Sequence, residues 1–463
     1  MPGMRSVNTA GSIFQRFKAE GLRIGILHSG GPAPGGNQVL YNAALRAGDH
    51  RDLADAADHG VPLIVFRHGF SHLMNNTAEE IANKWSSEVD KEYTRYLRDQ
   101  RALVPGTARA NPGKPIHSIA DLQDPNKTGY LTKVLQNLHE LRIGALITVG
   151  GDDTMTTAGK LQTHLQNLMA AGQRTFQNFM GVIHVPKTID KDYAGIAFTF
   201  GFMSAAEYIG GQMNGMHDDA KASAADDLIV YHIGEIMGRK AGWLTAAAAI
   251  DGQATYTIIP EPYRNPDFGM ADFSADGKVT MQQLANKVAD VVLTRFKQRD
   301  KHGNRKSYGT IAIAEGLADL LPKDALAGLG VDEFGHRDLS SAGIGEMLRV
   351  AALAELKRRV PEVEVKIKSR NMGYEARQIP ANYFDRTLCK RLGFSAVDGI
   401  MDGNFGHMVS YEEEFDPVYV PFTQLVDPNT LRVESHVMTP NCGYYTLLRG
   451  SEQPFEENVM MVA

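Results

Sequence analysis

Short runs of β-branched and other apolar residues recur along the chain, and each ends in a glycine-rich or charged loop that a helix-like stretch follows. This alternation predicts strands joined by helices, the pattern of an α/β protein. The runs that fit buried strands are Arg23–His28, Ala145–Val149, Gly181–Val185, Leu228–Ile233, Thr255–Ile259, Thr310–Ala314 and Val363–Ile367. Because loops at the carboxyl ends of parallel strands form the ligand crevice in such sheets, the chemistry is expected in the loops that follow these runs.

The segments between the predicted strands have other patterns. His68–Arg101 has the spacing of helices, whereas Pro105–Gln123 is irregular. Arg264–Thr280 is polar and rich in Gly and Asp, which predicts a loop or a small insertion. Residues 1–20 are predicted to form an N-terminal arm.

Composition narrows the class of protein. The chain has 463 residues, of which 43% are hydrophobic and 22% charged, and its formal net charge is −6. This length excludes one small domain, and the charge does not favour nucleic acid as a partner. No apolar stretch reaches the roughly 18 to 20 residues of a membrane helix. With only two cysteines and no apolar leader, we expect a cytoplasmic protein without a disulfide framework or a membrane partner.

The loop Ser29–Asn37 (SGGPAPGGN) follows the first predicted strand. Its glycines let backbone N–H groups approach an anion, and the helix that follows adds its positive end. The loop is neither GxGxxG nor GxxxxGK[ST], so the dinucleotide and Walker mechanisms do not apply. It is interpreted as a phosphate loop, with a plain tight turn as the alternative.

Two loops at later strand ends carry carboxylates. Gly150–Thr154 (GGDDT) places Asp152 and Asp153 side by side, which suits Mg²⁺ held near phosphate oxygens. The alternative is an acidic start of a helix, which explains one Asp better than two. In Pro186–Asp192 (PKTIDKD), either carboxylate could take a proton from a hydroxyl, and the lysines could neutralise phosphate. A charged surface turn is the alternative for that heptapeptide.

Three further groups lie at strand ends in the second half of the chain: Met237–Arg239, Glu261 and Tyr374–Arg377. Arginine binds phosphate through its fixed fork of donors, and carboxylates bind sugar hydroxyls. Taken singly, each group is a weak signal, because an exposed arginine is more often a solvated surface residue.

Taken together and in this order, the motifs GGxxPG, GGDDT, PKTID, MGR, PE and YEAR resemble the phosphofructokinase family, specifically its pyrophosphate-dependent branch. The similarity extends from Arg23 to Asp398. It implies two Rossmann-like three-layer α/β lobes with mostly parallel sheets and an active site in the cleft between them. The phosphoryl-donor lobe is expected at 21–200 plus about 378–430, and the sugar-phosphate lobe at 201–377 plus the C-terminal segment.

The resemblance also implies roles for individual residues. Asp190 is the expected base for the 1-hydroxyl of fructose 6-phosphate, Arg239 and Arg109 are the expected catalytic arginines, and Asp152 is expected to help hold Mg²⁺. The residues expected to bind the sugar phosphate are Thr188, Ile189, Asp190, Met237, Gly238, Arg239, Glu261, Tyr374 and Arg377. The residues expected to bind diphosphate are Gly31, Asp153 and Lys187.

Two of these positions concern the phosphoryl donor. Users of ATP in the family typically carry glycine at both, whereas this chain has Asp153 and Lys187. A side chain there crowds the α-phosphate and ribose, and the lysine can compensate the charge of diphosphate. The resemblance thus implies reversible phosphoryl transfer from diphosphate to fructose 6-phosphate, in glycolysis or gluconeogenesis, by a homodimer or homotetramer.

The chain also departs from the family pattern. Lys191 stands where relatives usually carry a small or amide residue, and Val230 and Lys368 occupy the positions of two cross-subunit arginines. The alternatives are therefore an ATP-dependent or sedoheptulose-7-phosphate-preferring kinase, or a catalytically silent regulatory subunit. A kinase of the NAD or lipid type shares a GGDGT-like loop but lacks the TID, MGR and YEAR motifs.

Overall fold

The computed structural model describes residues 7–49, 60–192, 194–269, 277–300, 302–322, 325, 342–412 and 414–452. The strands are β1 Arg23–His28, β2 Leu63–Phe66, β3 Ser86–Glu88, β4 Ile143–Gly150, β5 Gly181–Pro186, β6 Leu228–Ile236, β7 Tyr256–Ile258, β8 Tyr308–Ala314, β9 Glu364–Met372, β10 His407–Tyr411 and β11 Pro417–Pro421. The α-helices are α1 Val7–Ala19, α2 Gly36–Asp49, α3 Ser71–Asn75, α4 Ala78–Glu80, α5 Lys91–Asp99, α6 Pro125–Glu140, α7 Asp152–Ala170, α8 Phe202–Ser223, α9 Trp243–Asp251, α10 Glu261–Arg264, α11 Met281–Lys297, α12 Ile344–Arg359, α13 Tyr383–Met401, α14 Phe422–Leu425 and α15 Gly443–Ser451.

Each predicted strand is confirmed, with shifted ends for all but β1. The predicted runs correspond to β1 and to β4 through β9. The sequence pattern missed β2, β3, β10 and β11, which are short or lie next to an antiparallel neighbour.

The chain divides into two compact units. Unit 1 comprises residues 1–189, 193–201 and 380–434, and unit 2 comprises residues 190–192, 202–379 and 435–463. The sequence predicts one lobe at 21–200 with about 378–430, and the other at 201–377 with the C-terminal segment.

Within its described residues, unit 1 contains a seven-stranded sheet in the order β11-β10-β5-β4-β1-β2-β3. The pairs β1–β2, β1–β4, β4–β5 and β5–β10 are parallel, whereas β2–β3 and β10–β11 are antiparallel. Successive residues of a strand point to opposite faces, so Leu146 and Val182 join the core formed with α6 and α7. Ile183 faces α13 instead, where a Cβ on Gly399 would lie 2.7 Å from its Cδ1. Helices therefore cover both faces of this sheet.

The predicted N-terminal arm overlaps a packed helix. α1 spans Val7–Ala19, and its Phe14 and Phe17 are each only 1% exposed. The side chain of Phe17 lies against β4, because a Cβ on Gly144 would lie 2.9 Å from its ring. The two phenylalanines supply the apolar surface that docks this helix on the fold.

Unit 2 contains, within its described residues, a four-stranded sheet in the order β7-β8-β6-β9, and all its pairs are parallel. Ile233 and Ile313 pack with α11 and α12 in one apolar core. On the other face, a Cβ on Gly234 would lie 3.8 Å from Met216 of α8. Both units are thus α/β structures built on mostly parallel sheets, as expected.

Two inter-strand segments can be compared with their predictions. The segment His68–Arg101 contains α3, α4 and α5 and a π-helical turn at Ile81–Trp85, interrupted by β3. The predicted loop Arg264–Thr280 lies partly outside the described residues.

Among the helices that are described, none combines the length and apolarity that crossing a membrane requires.

Candidate active site

The carboxyl ends of three adjacent parallel strands carry the unit 1 loops that the sequence singled out. β5, β4 and β1 lie side by side, so the loops that follow them emerge at one edge of the sheet. Backbone bonds extend this pairing into the loops: Ser29 N donates to Val149 O at 2.9 Å, and Lys187 N donates to Gly150 O at 2.8 Å. The fold therefore brings the glycine loop, the GGDDT loop and Lys187 together.

Lys187 provides a buried positive charge beside the glycine loop. Its side chain is buried, and its Nζ donates to the carbonyl oxygen of Gly31. Gly30 has φ +79°, and a Cβ there would lie 3.5 Å from Nζ. Burial, with the Lys187 charge as a second cause, lowers the pKa of both His28 and His184 to about 3. These imidazoles are therefore neutral at physiological pH and add no positive charge at the loop.

Asp152 and Asp153 occupy the first turn of α7, directly after Gly150 and Gly151. The backbone N–H of Asp153 donates to Asp152 Oδ1 at 2.9 Å. Gly150 has no room for a side chain, because a Cβ there would lie 2.2 Å from Thr154 Oγ1. The backbone at the start of α7 is therefore packed closely against the end of β4.

The donor set at this position fits Mg²⁺, which binds through one or two carboxylates and completes its shell with water and substrate phosphates. The side chains that the structure describes include no group of three or more His, Cys, Asp or Glu residues that could hold a metal by themselves. An ion at Asp152 and Asp153 would therefore need water or phosphate oxygens as further ligands.

Thr188 and Ile189 are held by residues that the sequence reasoning missed. The buried hydroxyl of Thr199 accepts from Thr188 N at 2.9 Å and donates to Thr188 O at 2.9 Å. Ile189 packs where Gly201, at φ +88°, leaves space: a Cβ on that glycine would lie 3.1 Å from Ile189 Cγ2. No motif in the sequence identifies Thr199, because its hydrogen bonds to Thr188 form only where the chain folds back to the PKTID loop.

Arg109 lies next to a backbone segment that is bonded to the phosphate loop. Gly30 N donates to Ala108 O at 3.0 Å, and Ser29 Oγ donates to the same oxygen at 3.1 Å. The side chain of Arg109 itself is exposed. The structure therefore places this arginine beside the glycine loop in unit 1.

Asp190 belongs to unit 2, in a turn formed by Asp190, Lys191 and Asp192. Lys191 has φ +51°, a left-handed conformation that a residue with a side chain rarely adopts. The carbonyl of Asp192 accepts from His436 N at 2.9 Å. The proposed base therefore lies on a tightly turned segment that the C-terminal part of the chain contacts.

In unit 2, the predicted arginines Arg239 and Arg377 lie near Glu315, a carboxylate that the sequence prediction omitted. The pKa of Glu315 is raised to about 7, chiefly by burial and also by the neighbouring Glu235, while the N–H of Gly238 and the charges of Arg377 and Arg239 oppose the rise. The backbone also packs closely, because a Cβ on Gly316 would lie 2.4 Å from Arg239 O. Glu315 follows β8 directly, so its position at a parallel strand end was the signal that could have identified it.

Glu261 is buried, and one of its carboxylate oxygens serves the backbone. Its Oε1 accepts from Gly242 N at 2.8 Å, at the start of α9. Its Oε2 is buried and accepts no hydrogen bond from the described residues. Burial raises the pKa of this carboxyl. The cation whose charge acts on Glu261 is Arg264, whereas Arg239 and Arg377 act on Glu315.

Tyr374 and Arg377 form the two ends of a 3₁₀ turn after β9. The guanidinium carbon of Arg377 lies 4.9 Å from the centre of the Tyr374 ring. Tyr374 is 59% exposed, and Arg377 Nε is buried without a hydrogen bond to the described residues. This pair is therefore placed at the same sheet edge as Met237, which follows β6 next to β9.

Loops of glycine, lysine, arginine and carboxylates at the carboxyl edges of parallel sheets are suited to binding phosphorylated small molecules. The model of the phosphofructokinase family matches residues 23–400. The chain therefore belongs to the phosphofructokinase family.

Individual relatives differ in the donor that their names state. A pyrophosphate--fructose 6-phosphate 1-phosphotransferase of Naegleria fowleri is 26% identical, over 88% of this chain and 82% of its own length. An ATP-dependent 6-phosphofructokinase 3 of Bacteroides thetaiotaomicron is also 26% identical, over 90% of this chain and 96% of its own length. Overall identity therefore does not distinguish the two donors.

Solved structures agree on the fold. The crystal structure of a pyrophosphate-dependent phosphofructokinase from Nitrosospira multiformis aligns with a TM-score of 0.63 and 16% identity. The alignment covers 94% of this chain and 92% of that chain. The fold class expected from the sequence is thereby confirmed.

Proposed function

We propose that this chain is a diphosphate-dependent 6-phosphofructokinase, which transfers a phosphoryl group from diphosphate to the 1-hydroxyl of fructose 6-phosphate. The observation that carries the donor assignment is the buried Lys187, hydrogen-bonded into the glycine loop beside Asp152 and Asp153. A fixed positive charge there suits the two phosphates of a small, highly charged donor.

On the donor side, the backbone of Gly31 and the ammonium of Lys187 bind the phosphate that leaves, and Asp153 excludes a bulkier nucleotide. Asp152, with Asp153 beside it, would hold Mg²⁺. When bound, that ion neutralises charge on the diphosphate oxygens. Arg109 contributes a further positive charge to the phosphoryl group that is transferred.

On the acceptor side, Thr188 and Ile189 are the residues of unit 1 proposed to bind the sugar phosphate. The residues proposed for this role in unit 2 are Asp190, Met237, Gly238, Arg239, Glu261, Glu315, Tyr374 and Arg377. Arg239 and Arg377 bind phosphate oxygens, and Glu315 accepts a hydrogen bond from a sugar hydroxyl. Glu261, with one oxygen on the backbone, has Oε2 left for a second hydroxyl.

The reaction needs positioning and charge stabilisation more than covalent work by the protein. The 1-oxygen of the sugar attacks the terminal phosphorus in line, and the bond from that phosphorus to the bridging oxygen breaks. The hydroxyl proton passes to a carboxylate oxygen of Asp190, and phosphate leaves with the bridging oxygen. Arg239 stabilises the charge on the equatorial oxygens.

The proposal is tested with purified protein and a panel of two donors, diphosphate and ATP, against two acceptors, fructose 6-phosphate and sedoheptulose 7-phosphate. We expect Mg²⁺-dependent formation of fructose 1,6-bisphosphate from diphosphate, and the reverse reaction with phosphate. Turnover that is faster with the seven-carbon sugar would correct the acceptor. A complete lack of turnover with every pair would favour a silent regulatory subunit.

Glu315 gives a stability prediction that needs no substrate. Its pKa is raised from 4.5 to about 7 in the folded protein, so the folded state holds this proton more tightly than the unfolded chain. The free energy of unfolding should therefore fall as pH rises from about 4.5 to about 7, by at most on the order of 3 kcal/mol. Glu315→Gln should remove that part of the pH dependence in thermal unfolding. Glu362→Gln, which changes an exposed carboxylate of unit 2, serves as the control, and an equal effect of both variants would contradict the prediction.

Assembly is a separate prediction. The resemblance places two arginines across a subunit interface, but Val230 is buried here and Lys368 pairs with Asp219 at 3.0 Å. We expect a homodimer or homotetramer with symmetric contacts, with Lys368 or Arg370 in the role of a missing arginine. Light scattering at assay concentration measures the state, and a fully active monomer would show that each chain completes its own site.

A further inference from the structure

Lys191, the residue at which the TID loop departs from the family pattern, is in contact with two aromatic rings. Its Nζ lies 4.8 Å from the centre of the Trp243 ring and 5.8 Å from that of Tyr444. Both distances are within the range in which an ammonium is attracted to an aromatic face. The three side chains are called the Lys191 cage below.

Trp243 is linked through His436 to the same turn that contains Lys191. Trp243 Nε1 donates to His436 O at 3.0 Å, and the two rings stack with their centres 4.8 Å apart. The backbone N–H of His436 in turn donates to Asp192 O at 2.9 Å. The turn is thus held at Lys191 by the rings and at Asp192 by the backbone.

Tyr444, the second aromatic residue in contact with Lys191, belongs to α15. Its ring meets Trp243 edge-on, with centres 5.8 Å apart. At the C-terminal end of this helix, Arg449 and Glu452 form a partly buried ion pair of 2.7 Å. Glu452 Oε1 accepts from Thr257 N at 2.7 Å, and Arg449 Nη2 donates to Thr257 O at 3.1 Å. The C-terminal helix is therefore anchored to β7.

We propose that Lys191 is a positioning residue for Asp190. The contacts of its ammonium with the aromatic rings of Trp243 and Tyr444 hold the Asp190–Asp192 turn in place. This inference rests on the proposed function. The left-handed φ of Lys191 is unfavourable for a residue with a side chain, so the surrounding contacts must hold the turn in this conformation. Attraction between the ammonium and the rings supplies that hold, and it keeps the adjacent carboxylate in place for proton transfer.

Kinetics of fructose 6-phosphate phosphorylation by diphosphate test the role. Lys191→Met should lower kcat by about 10²-fold, the effect expected of a misplaced catalytic group, and leave KM for fructose 6-phosphate within about threefold. Lys191→Arg, which keeps a cation for the rings, should restore most of kcat. Tyr444→Leu should lower kcat, whereas Tyr444→Phe should not. The double variant Lys191→Met/Tyr444→Leu should be no slower than Lys191→Met alone.

Two measurements control these results. Lys221→Met removes a lysine that lies 6.0 Å from the Tyr308 ring in the same unit, and it should leave the kinetics unchanged. The chain has two tryptophans, so in a Trp85→Phe background the emission reports Trp243 alone. Lys191→Met should shift this emission without a ligand, and Lys221→Met should not.

The outcomes separate this inference from the proposed function. Unchanged Trp243 emission overturns the cage whatever the activity. A raised KM with normal kcat in Lys191→Met overturns the positioning role in favour of direct ligand contact. Loss of activity in Lys191→Met with a normal Tyr444→Leu shows that the lysine does not act through the cage. A wild type without any phosphofructokinase activity refutes the proposed function, and with it the role toward Asp190.

Discussion

Asp190→Asn should lower kcat for phosphorylation of fructose 6-phosphate by at least about 10²-fold, because the amide cannot take the hydroxyl proton. Asn has nearly the same shape as Asp, so the turn with Lys191 and Asp192 should persist. KM for the sugar phosphate should change much less than kcat, since the lost interaction belongs to the transition state. Steady-state rates and a thermal unfolding curve of the same preparation measure both expectations.

The neighbouring Asp192 provides the matched comparison. Its carboxylate lies two residues from that of Asp190 on the same turn, and the sequence alone allowed either to be the base. Asp192→Asn should therefore lose less kcat than Asp190→Asn. The opposite order would move the base to Asp192, and near-normal turnover in a folded Asp190→Asn would remove Asp190 from the mechanism.

The sequence predicted most of the sheets because their strands are buried on both faces and appear as continuous apolar runs. β4 and β6 are long runs of this kind, and both were found. β2 (LIVF) is a continuous apolar run that the sequence reasoning overlooked. β10 (HMVSY) mixes polar and apolar residues before the turn into β11, so it has no distinctive run. The packing of α1 depends on distant partners on β4, which a local pattern does not show.

The candidate site was predictable to the extent that its residues are local to a strand end. Lys187, Asp152 and the arginine of MGR are of this kind, and the structure places each at a carboxyl edge. The environment of Glu315 was not predictable, because its raised pKa depends on burial and on Arg239 and Arg377 from other loops.

The Lys191 cage was not predictable for a related reason. Lys191 and Tyr444 are far apart in the sequence and belong to one unit only through the fold. A pattern along the chain identifies residue types at strand ends, but it does not show which distant side chains meet there.

Donor choice should depend on Asp153 and Lys187. The wild type should use diphosphate with Mg²⁺ and show little activity with ATP, because the Asp153 carboxylate repels the α-phosphate and occupies the space of the nucleotide. Asp153→Gly should raise the rate with ATP relative to that with diphosphate. Asp153→Asn separates the two causes, since it removes the charge and keeps the bulk.

Lys187→Met should lower kcat with diphosphate by about 10² to 10³-fold, the effect of removing one preorganised group that stabilises developing charge. The double variant with Asp153→Gly should gain ATP use without becoming efficient, because nothing in these two changes builds an adenine pocket. Lys114→Met, at an exposed lysine of unit 1, is the control for loss of one positive charge.

A readout without substrate shows whether Lys187 carries its charge at the loop. The lysine is a secondary cause of the low pKa of His28 and His184, after burial. In Lys187→Met both values should therefore rise but stay below the ordinary histidine value, which NMR titration of the imidazoles measures. If the wild type phosphorylates fructose 6-phosphate faster from ATP than from diphosphate at equal concentration, the interpretation of Asp153 and Lys187 is wrong, while membership of the phosphofructokinase family stands.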